Sequence, residues 1–208
     1  MTLSLQAGKT NVMHQLKSEF YARATPIVAR ALLNKRLVRC LDGRRLSGRI
    51  VEVEAYIGTD DGASHARFGK TDRNAAMFGP PGHAYVYLIY GVHHCLNVVT
   101  EETEQAAAIL IRALEPEEGI ERQQHHRGDG PFQTLTNGPG KLCQALDIDL
   151  RFDGADLCAP DAALWIEDAP IVPDEAIIAT PRVNVTGDQR ARTVPWRWHI
   201  KDNPWVSR

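Results

Sequence analysis

Residues 49–58, RIVEVEAYIG, constrain the fold more than any other stretch of the chain. Side chains alternate there with the period of a strand. Val51, Val53 and Ala55 share one face, and Glu52, Glu54 and Tyr56 share the other. The dipeptide Asp42-Gly43 just upstream is a hairpin signal, which makes RLVRCL the antiparallel partner of LSGRIVEVEAYI. HAYVYLIY and HHCLNVVT, joined at Gly91, read as a second hairpin. QAAAILIRALE is a further strand that enters an acidic turn at PEEG. Residues 15–33 predict one helix with Thr25-Pro26 as a start signal and Asn34 as a left-handed stop. GPGKLCQALDI predicts a short helix, LWIEDAP a short strand, and the tail through Trp205 is strand-rich.

Strands therefore follow strands, without the regular helix alternation of a doubly wound parallel sheet. The expected fold is mixed α/β of the α+β type, a curved and mostly antiparallel sheet with flanking helices. A length of 208 residues suits one domain spanning residues 1–208. Residues 1–18 are expected to be disordered or peripheral to it. Residues 58–83 read as a long surface loop of the functional kind, and 121–136 as a mobile polar insertion with no element of its own.

The face that carries Glu52, Glu54 and Tyr56 is either solvated or chemical. Arg112 tilts the choice, because it lies inside the apolar run AAAILIRAL and a buried guanidinium requires an anionic partner, Glu54 or Glu52. A strand carboxylate held by a strand arginine is oriented and ionised, as general-base work on water requires. In AYVYLIYG, Tyr85 reads as core, while Tyr87 and Tyr56 form an aromatic-walled slot. Tyr90 stands at a hairpin tip, a poor place for a core residue and a good one for insertion between stacked bases. The loop ASHARFGKTDRN offers His65, Arg67, Lys70 and Arg73 at intervals that suit phosphate contacts.

Other chemistries fit less well. His93, His94 and Cys95 are adjacent on a strand and point to alternate faces, so a metal centre is not expected. Lys141 lacks the spacing of a P-loop, and no G-x-S-x-G elbow is present. Cys40, Cys95, Cys143 and Cys158 stand far apart and read as reduced thiols. No apolar run spans a bilayer, and the N-terminus lacks the apolar centre of a secretory signal, so the expectation is a cytosolic protein. The net charge of −2 hides an asymmetry: residues 1–50 hold ten Lys/Arg against two acids, and residues 182–208 hold six against two. Brought together, these ends would form one positive face.

GRIVEVEAYIG, SHARFGKTDRNAAMFGPPGHAYVYLIYGVHHCLNVVT, ILIRALEPEEG, NGPGKLCQAL, PRVNV and NPWVS follow one another in the order of the alkyladenine (3-methyladenine) DNA glycosylase family. The chain resembles that family from about Phe20 to Ser207. The resemblance implies a monofunctional enzyme that rotates a damaged alkylated or deaminated purine out of duplex DNA and cuts its N-glycosidic bond with water. It implies Glu54 as the general base, with Arg112 helping to hold the water. It also implies Tyr56, His65 and Tyr87 around the extruded base, Asn97 testing the purine 2-position, and Tyr90 as the wedge. Arg67, Lys70, Arg73 and Lys141 would meet the DNA backbone. The enzyme would be a cytoplasmic monomer of bacterial type working at the nucleoid, with no cofactor and no membrane partner. A non-catalytic lesion-binding relative is the alternative. Two departures stand out: TGDQRARTVPWRW after PRVNV, and a longer acidic EETE tip before Arg112.

Overall fold

The computed structural model describes residues 14–207. Strands β1 (Arg36–Leu41) and β2 (Arg44–Ile57) meet at Asp42 and Gly43, whose φ angles of 51° and 70° are both left-handed. This is the two-residue turn that Asp-Gly favours, since its twist matches that of the strands. Strands β3 (Ala84–Ile89) and β4 (His93–Thr100) form the second hairpin, and β5 (Ala107–Glu118) follows. With β6 (Leu164–Glu167), the order across the open sheet is β3-β4-β5-β2-β1-β6. Strand β8 (Arg197–Ile200) pairs with β2 and with β7 (Ile177–Thr180). All these pairings are antiparallel.

Strand β2 is the centre of the sheet. β5 borders one of its edges from Ser47 to Ile57, while β1 and β8 share the other, β8 taking Glu52–Glu54. The register with β5 shifts on both sides of Glu52. Such a bulge re-aims side chains and increases local twist, and here it falls where the two glutamates leave the sheet. On the opposite face Ile50, Val53 and Ala55 join the main core with Ile109, Ile111 and Leu32.

The segment expected to be one helix is two, α1 (Ser18–Tyr21) and α2 (Thr25–Leu32), with extended Ala24 as the N-cap of the second. Pro26 has no N–H to donate and its ring would strike a carbonyl one turn back, so it fits the first turn of α2 but blocks a helix that would run on from α1. Of the stretch expected at the periphery, residues 1–13 lie outside the described residues. Leu16 is buried in the main core, and the Gln15 amide donates to the carbonyls of Leu157 and Ala159.

PEEG does not turn. It continues β5, because Arg49, Arg36 and Arg45 form ion pairs with Glu115, Glu117 and Glu118. Opposite charges on the neighbouring strand, here Arg45 and Arg49 of β2, favour the extended form. Residues within 121–136 also carry an element: α3 (Ile120–Arg127), which packs on α4 (Pro139–Ala145). Its anchor is the buried Gln123 amide, which donates to the Ser47 and Glu118 carbonyls at 3.0 and 2.8 Å. An amide anchor leaves no apolar stripe to read.

Among the described residues, much of the basic charge of the two ends is paired with acids. Arg30, Lys35, Arg36, Arg45 and Arg49 pair with Asp174, Asp168, Glu117, Glu167 and Glu115. Arg182 and Arg197 pair with Asp61 and Glu52 in the interior.

Candidate active site

The polar face of β2 borders a cavity of about 600 Å³. Its walls come from seven places: the end of β2, the loop after it, the β3–β4 hairpin, β5, the end of α3, the entry to α4, and residues 183–186.

Glu54 and Arg112 meet behind this cavity. Both Glu52 and Glu54 are fully buried, so the face is not solvated. Arg112 lies 2.9 Å from Glu52 and 3.3 Å from Glu54, and so serves both acids rather than one. The Glu54 carboxylate does not itself line the cavity, but three residues that do so bind it. Tyr56 donates its hydroxyl to Oε2 at 2.8 Å, Val183 donates its backbone N–H to Oε1 at 2.7 Å, and Arg112 stands beside Oε1. A carboxylate accepts about four hydrogen bonds, so Oε2 keeps capacity for one more donor. Burial, and then the charge of Glu54 and the bond to it, push the Tyr56 phenol well above its usual range, so it remains a neutral donor.

Aromatic rings form the wall. Tyr85 and Tyr87 lie on β3 with centroids 5.4 Å apart, and His65 packs edge-on against Tyr87 at 4.5 Å. His65 begins a short 3-10 helix, His65–Phe68, inside the long loop. Burial, followed by Arg73 and Arg67, lowers the pKa of His65. Its ring is therefore neutral at neutral pH, with Nδ1 2.7 Å from the Tyr85 hydroxyl. Asn97, on β4 opposite Tyr85, donates to the Tyr85 carbonyl at 3.0 Å and lines the cavity. Tyr85, expected as pure core, is thus both core and wall.

Tyr90 stands at the tip of the β3–β4 hairpin, 86 % exposed, with a φ of 53°. Beside it Val92 is also exposed, as is Phe68 in the loop. Arg67 stacks on Phe68, and Arg73 donates to the Leu88 carbonyl; both remain at the surface. Lys70 is paired with Glu104 at 2.8 Å, which offsets its charge. Lys141 enters α4, bonds Asn137, and lines the cavity together with Arg127 of α3.

Several supporting residues carried no sequence signal. Asn74 donates to the carbonyls of His65 and Gly69 and accepts from the Thr71 N–H, which fixes the loop that holds His65. Ser207 donates both its N–H and its hydroxyl to Glu52. Arg182 and Asp61 form a buried two-pronged pair at 2.6 and 2.8 Å. The family-like PRVNV contains Arg182, but nothing local announces that its partner lies in the loop after β2.

A carboxylate set behind an aromatic cavity on an antiparallel sheet suits hydrolysis at a flat, ring-shaped group. The model of the family described as methylpurine-DNA glycosylase (MPG) matches residues 19–204. Relatives carry the same theme in their names. A protein of Alkaliphilus oremlandii named "Putative 3-methyladenine DNA glycosylase" is 48 % identical over 203 residues, 93 % of this chain and 99 % of that one. One of Methanocella arvoryzae with the same name is 49 % identical over 94 % of this chain and 97 % of its own. One of Anaeromyxobacter dehalogenans strain 2CP-C, also so named, is 52 % identical over 93 % and 87 %. The class is that of DNA glycosylases. Within it, the chain belongs to the methylpurine-DNA glycosylase family.

Proposed function

We propose that this protein removes alkylated and deaminated purines from duplex DNA by hydrolysing the N-glycosidic bond, acting as a monofunctional enzyme without a cofactor. The observation that carries the reading is the buried Glu54 carboxylate bound by three residues, Tyr56, Val183 and Arg112, that themselves line a cavity large enough for a nucleobase.

In this reading a water bonds to the uncommitted capacity of Glu54 Oε2, next to the Tyr56 hydroxyl, while Arg112 stands beside Oε1. As the bond between sugar and base breaks, its electron pair leaves with the purine and the sugar becomes oxocarbenium-like. The water oxygen attacks the sugar carbon while Glu54 takes its proton, and the carboxylate charge opposes the developing positive charge. A 3- or 7-alkylated purine is already cationic and leaves readily. It is also held by the faces of Tyr56, Tyr87 and His65, with cation–π attraction on the order of 1–2 kcal/mol once desolvated. Asn97, which lines the cavity, would test an exocyclic group of the purine.

The base must leave the helix to reach this cavity, at a cost of a few kcal/mol. Exposed Tyr90 fills the vacated stack, and Arg67, Arg73 and Lys141 hold the flanking phosphates. The test is Glu54→Gln on a duplex that bears one hypoxanthine or one methylated purine. Binding should persist while base release falls by about 10²-fold or more. Unchanged release would remove Glu54 from the role of base.

A further inference from the structure

We infer that the buried ion pair Asp61–Arg182 is a positioning device for Glu54, acting through the Val183 N–H; this rests on the function proposed above. The pair joins three parts of the cavity wall that the chain keeps far apart. Arg182 donates from Nη1 to Asp61 Oδ2 at 2.6 Å and to the Ala55 carbonyl at 2.9 Å. From Nη2 it donates to Asp61 Oδ1 at 2.8 Å and to the Ala191 carbonyl at 3.0 Å. Ala55 is the residue between Glu54 and Tyr56. The next residue after Arg182 is Val183, whose N–H binds Glu54 Oε1.

Asp61 supplies the other half. Its carboxylate also accepts the N–H groups of Ile57 and Ala63, which shapes the loop as it leaves β2 towards His65. The guanidinium plane lies over the Tyr56 ring at 4.7 Å, on the ring whose hydroxyl binds Glu54 Oε2. Both donors to Glu54 are thus braced by one arginine. The two loops are also locked by close approach. A side-chain carbon on Gly187 would come within 2.8 Å of the Gly62 backbone, and one on Gly62 within 3.2 Å of the Asp188 nitrogen.

Neither Asp61 nor Arg182 lines the cavity, and both are almost fully buried. A buried pair is by itself weak support for stability, since well-packed apolar residues often replace one at no loss. Geometry is the more demanding role: two prongs to one carboxylate and two carbonyls set the direction of the segment that starts at Val183. Lysine, a single point charge, cannot reproduce that fork.

The experiment compares wild type, Arg182→Lys and the double replacement Asp61→Leu/Arg182→Met. Three quantities are read: thermal midpoint, affinity for a duplex with a tetrahydrofuran abasic analogue, and the single-turnover rate of base release. The double replacement removes both charges together but also the partners of the Ile57 and Ala63 N–H groups and of the Ala55 and Ala191 carbonyls, so its midpoint should fall; assayed below that midpoint, it should bind the abasic duplex as wild type does, while release falls on the order of 10²-fold. Arg182→Lys should show the same split with a smaller loss. If the double replacement fails to fold, Arg182→Lys decides alone. Release at the wild-type rate from a folded variant, or a fall in release matched by an equal fall in abasic-duplex binding, overturns the positioning role. Glu54→Gln, run alongside, separates the two readings. If it too releases base at the wild-type rate, the assignment of the base itself is at fault; if it is inactive while the variants are normal, only the role of the pair is lost.

Discussion

Glu52 and Glu54 sit two positions apart on one strand, and their neighbours give them different tasks. Glu52 accepts from Arg112, Arg197 and both donors of Ser207, which leaves it no capacity for a substrate or a water. Burial pushes its pKa up, but Arg112, Arg197 and the Ser207 N–H outweigh that and hold it below the ordinary 4.5. A carboxyl whose folded-state pKa is depressed contributes stability that is complete above its unfolded value and is lost as pH falls through the folded one. The prediction is that Glu52→Gln costs about 3 kcal/mol at neutral pH, because it leaves Arg112 and Arg197 short of a buried anion. Urea titrations at successively lower pH should show the gap to wild type closing below pH 4.5. A gap that stays constant would deny Glu52 this role. The sequence placed both acids on one face but did not rank them, because the ranking depends on Val183 and Ser207, 129 and 155 residues away.

At the scale of elements, the strands were legible and the helices less so. Alternation is a local property, and the Asp42-Gly43 and Gly91 turns punctuate it, so β1 to β4 and the start of β5 fall where the pattern puts them. Helix α3 has no apolar stripe, and its buried Gln123 looks like any surface glutamine until Ser47 is beside it. The bulge in β2 was equally silent. Gly48 stands near it because a side-chain carbon there would come within 2.9 Å of the Glu115 carbonyl and of Leu114 Cβ. Gly48→Ala should destabilise by about 1–3 kcal/mol, read from a denaturation midpoint, since strand backbone on both sides prevents relief. The β3–β4 hairpin carries the opposite kind of residue, one with too little contact rather than too much. Tyr90 touches little of the molecule, so Tyr90→Ala should leave the melting temperature unchanged. It should slow base release from duplex more than from single strands, because only a stacked duplex leaves a gap to fill. Equal loss on both substrates would deny the wedge.

For the molecule as a whole, pairing decides which charges are left for a partner. Among the described residues, most basic side chains near the N-terminus pair with acids on β5, on β6 and beyond, and the cations near the cavity include exposed Arg67 and Arg73 of one loop beside Lys141 and Arg127 in its wall. Affinity for duplex falls with salt in proportion to the phosphates neutralised. Replacing Arg67 and Arg73 by alanine together should therefore reduce the slope of log affinity against log salt by about 2. Arg36→Ala should leave that slope as it is, although it removes the same kind of charge. A slope indifferent to Arg67 and Arg73 would move the DNA-contacting face elsewhere.

By itself the sequence determined the strands, the turn chemistry that makes their pairing antiparallel, and the presence of two acids and a phenol on one face of the central strand. These follow from backbone sterics and side-chain period, which act over a few residues. Only the tertiary structure decided which acid is satisfied and which keeps capacity for a further donor, and that Asp61 meets Arg182 across 121 residues. Buried charges must find partners wherever packing brings them, and no local pattern records who those partners are.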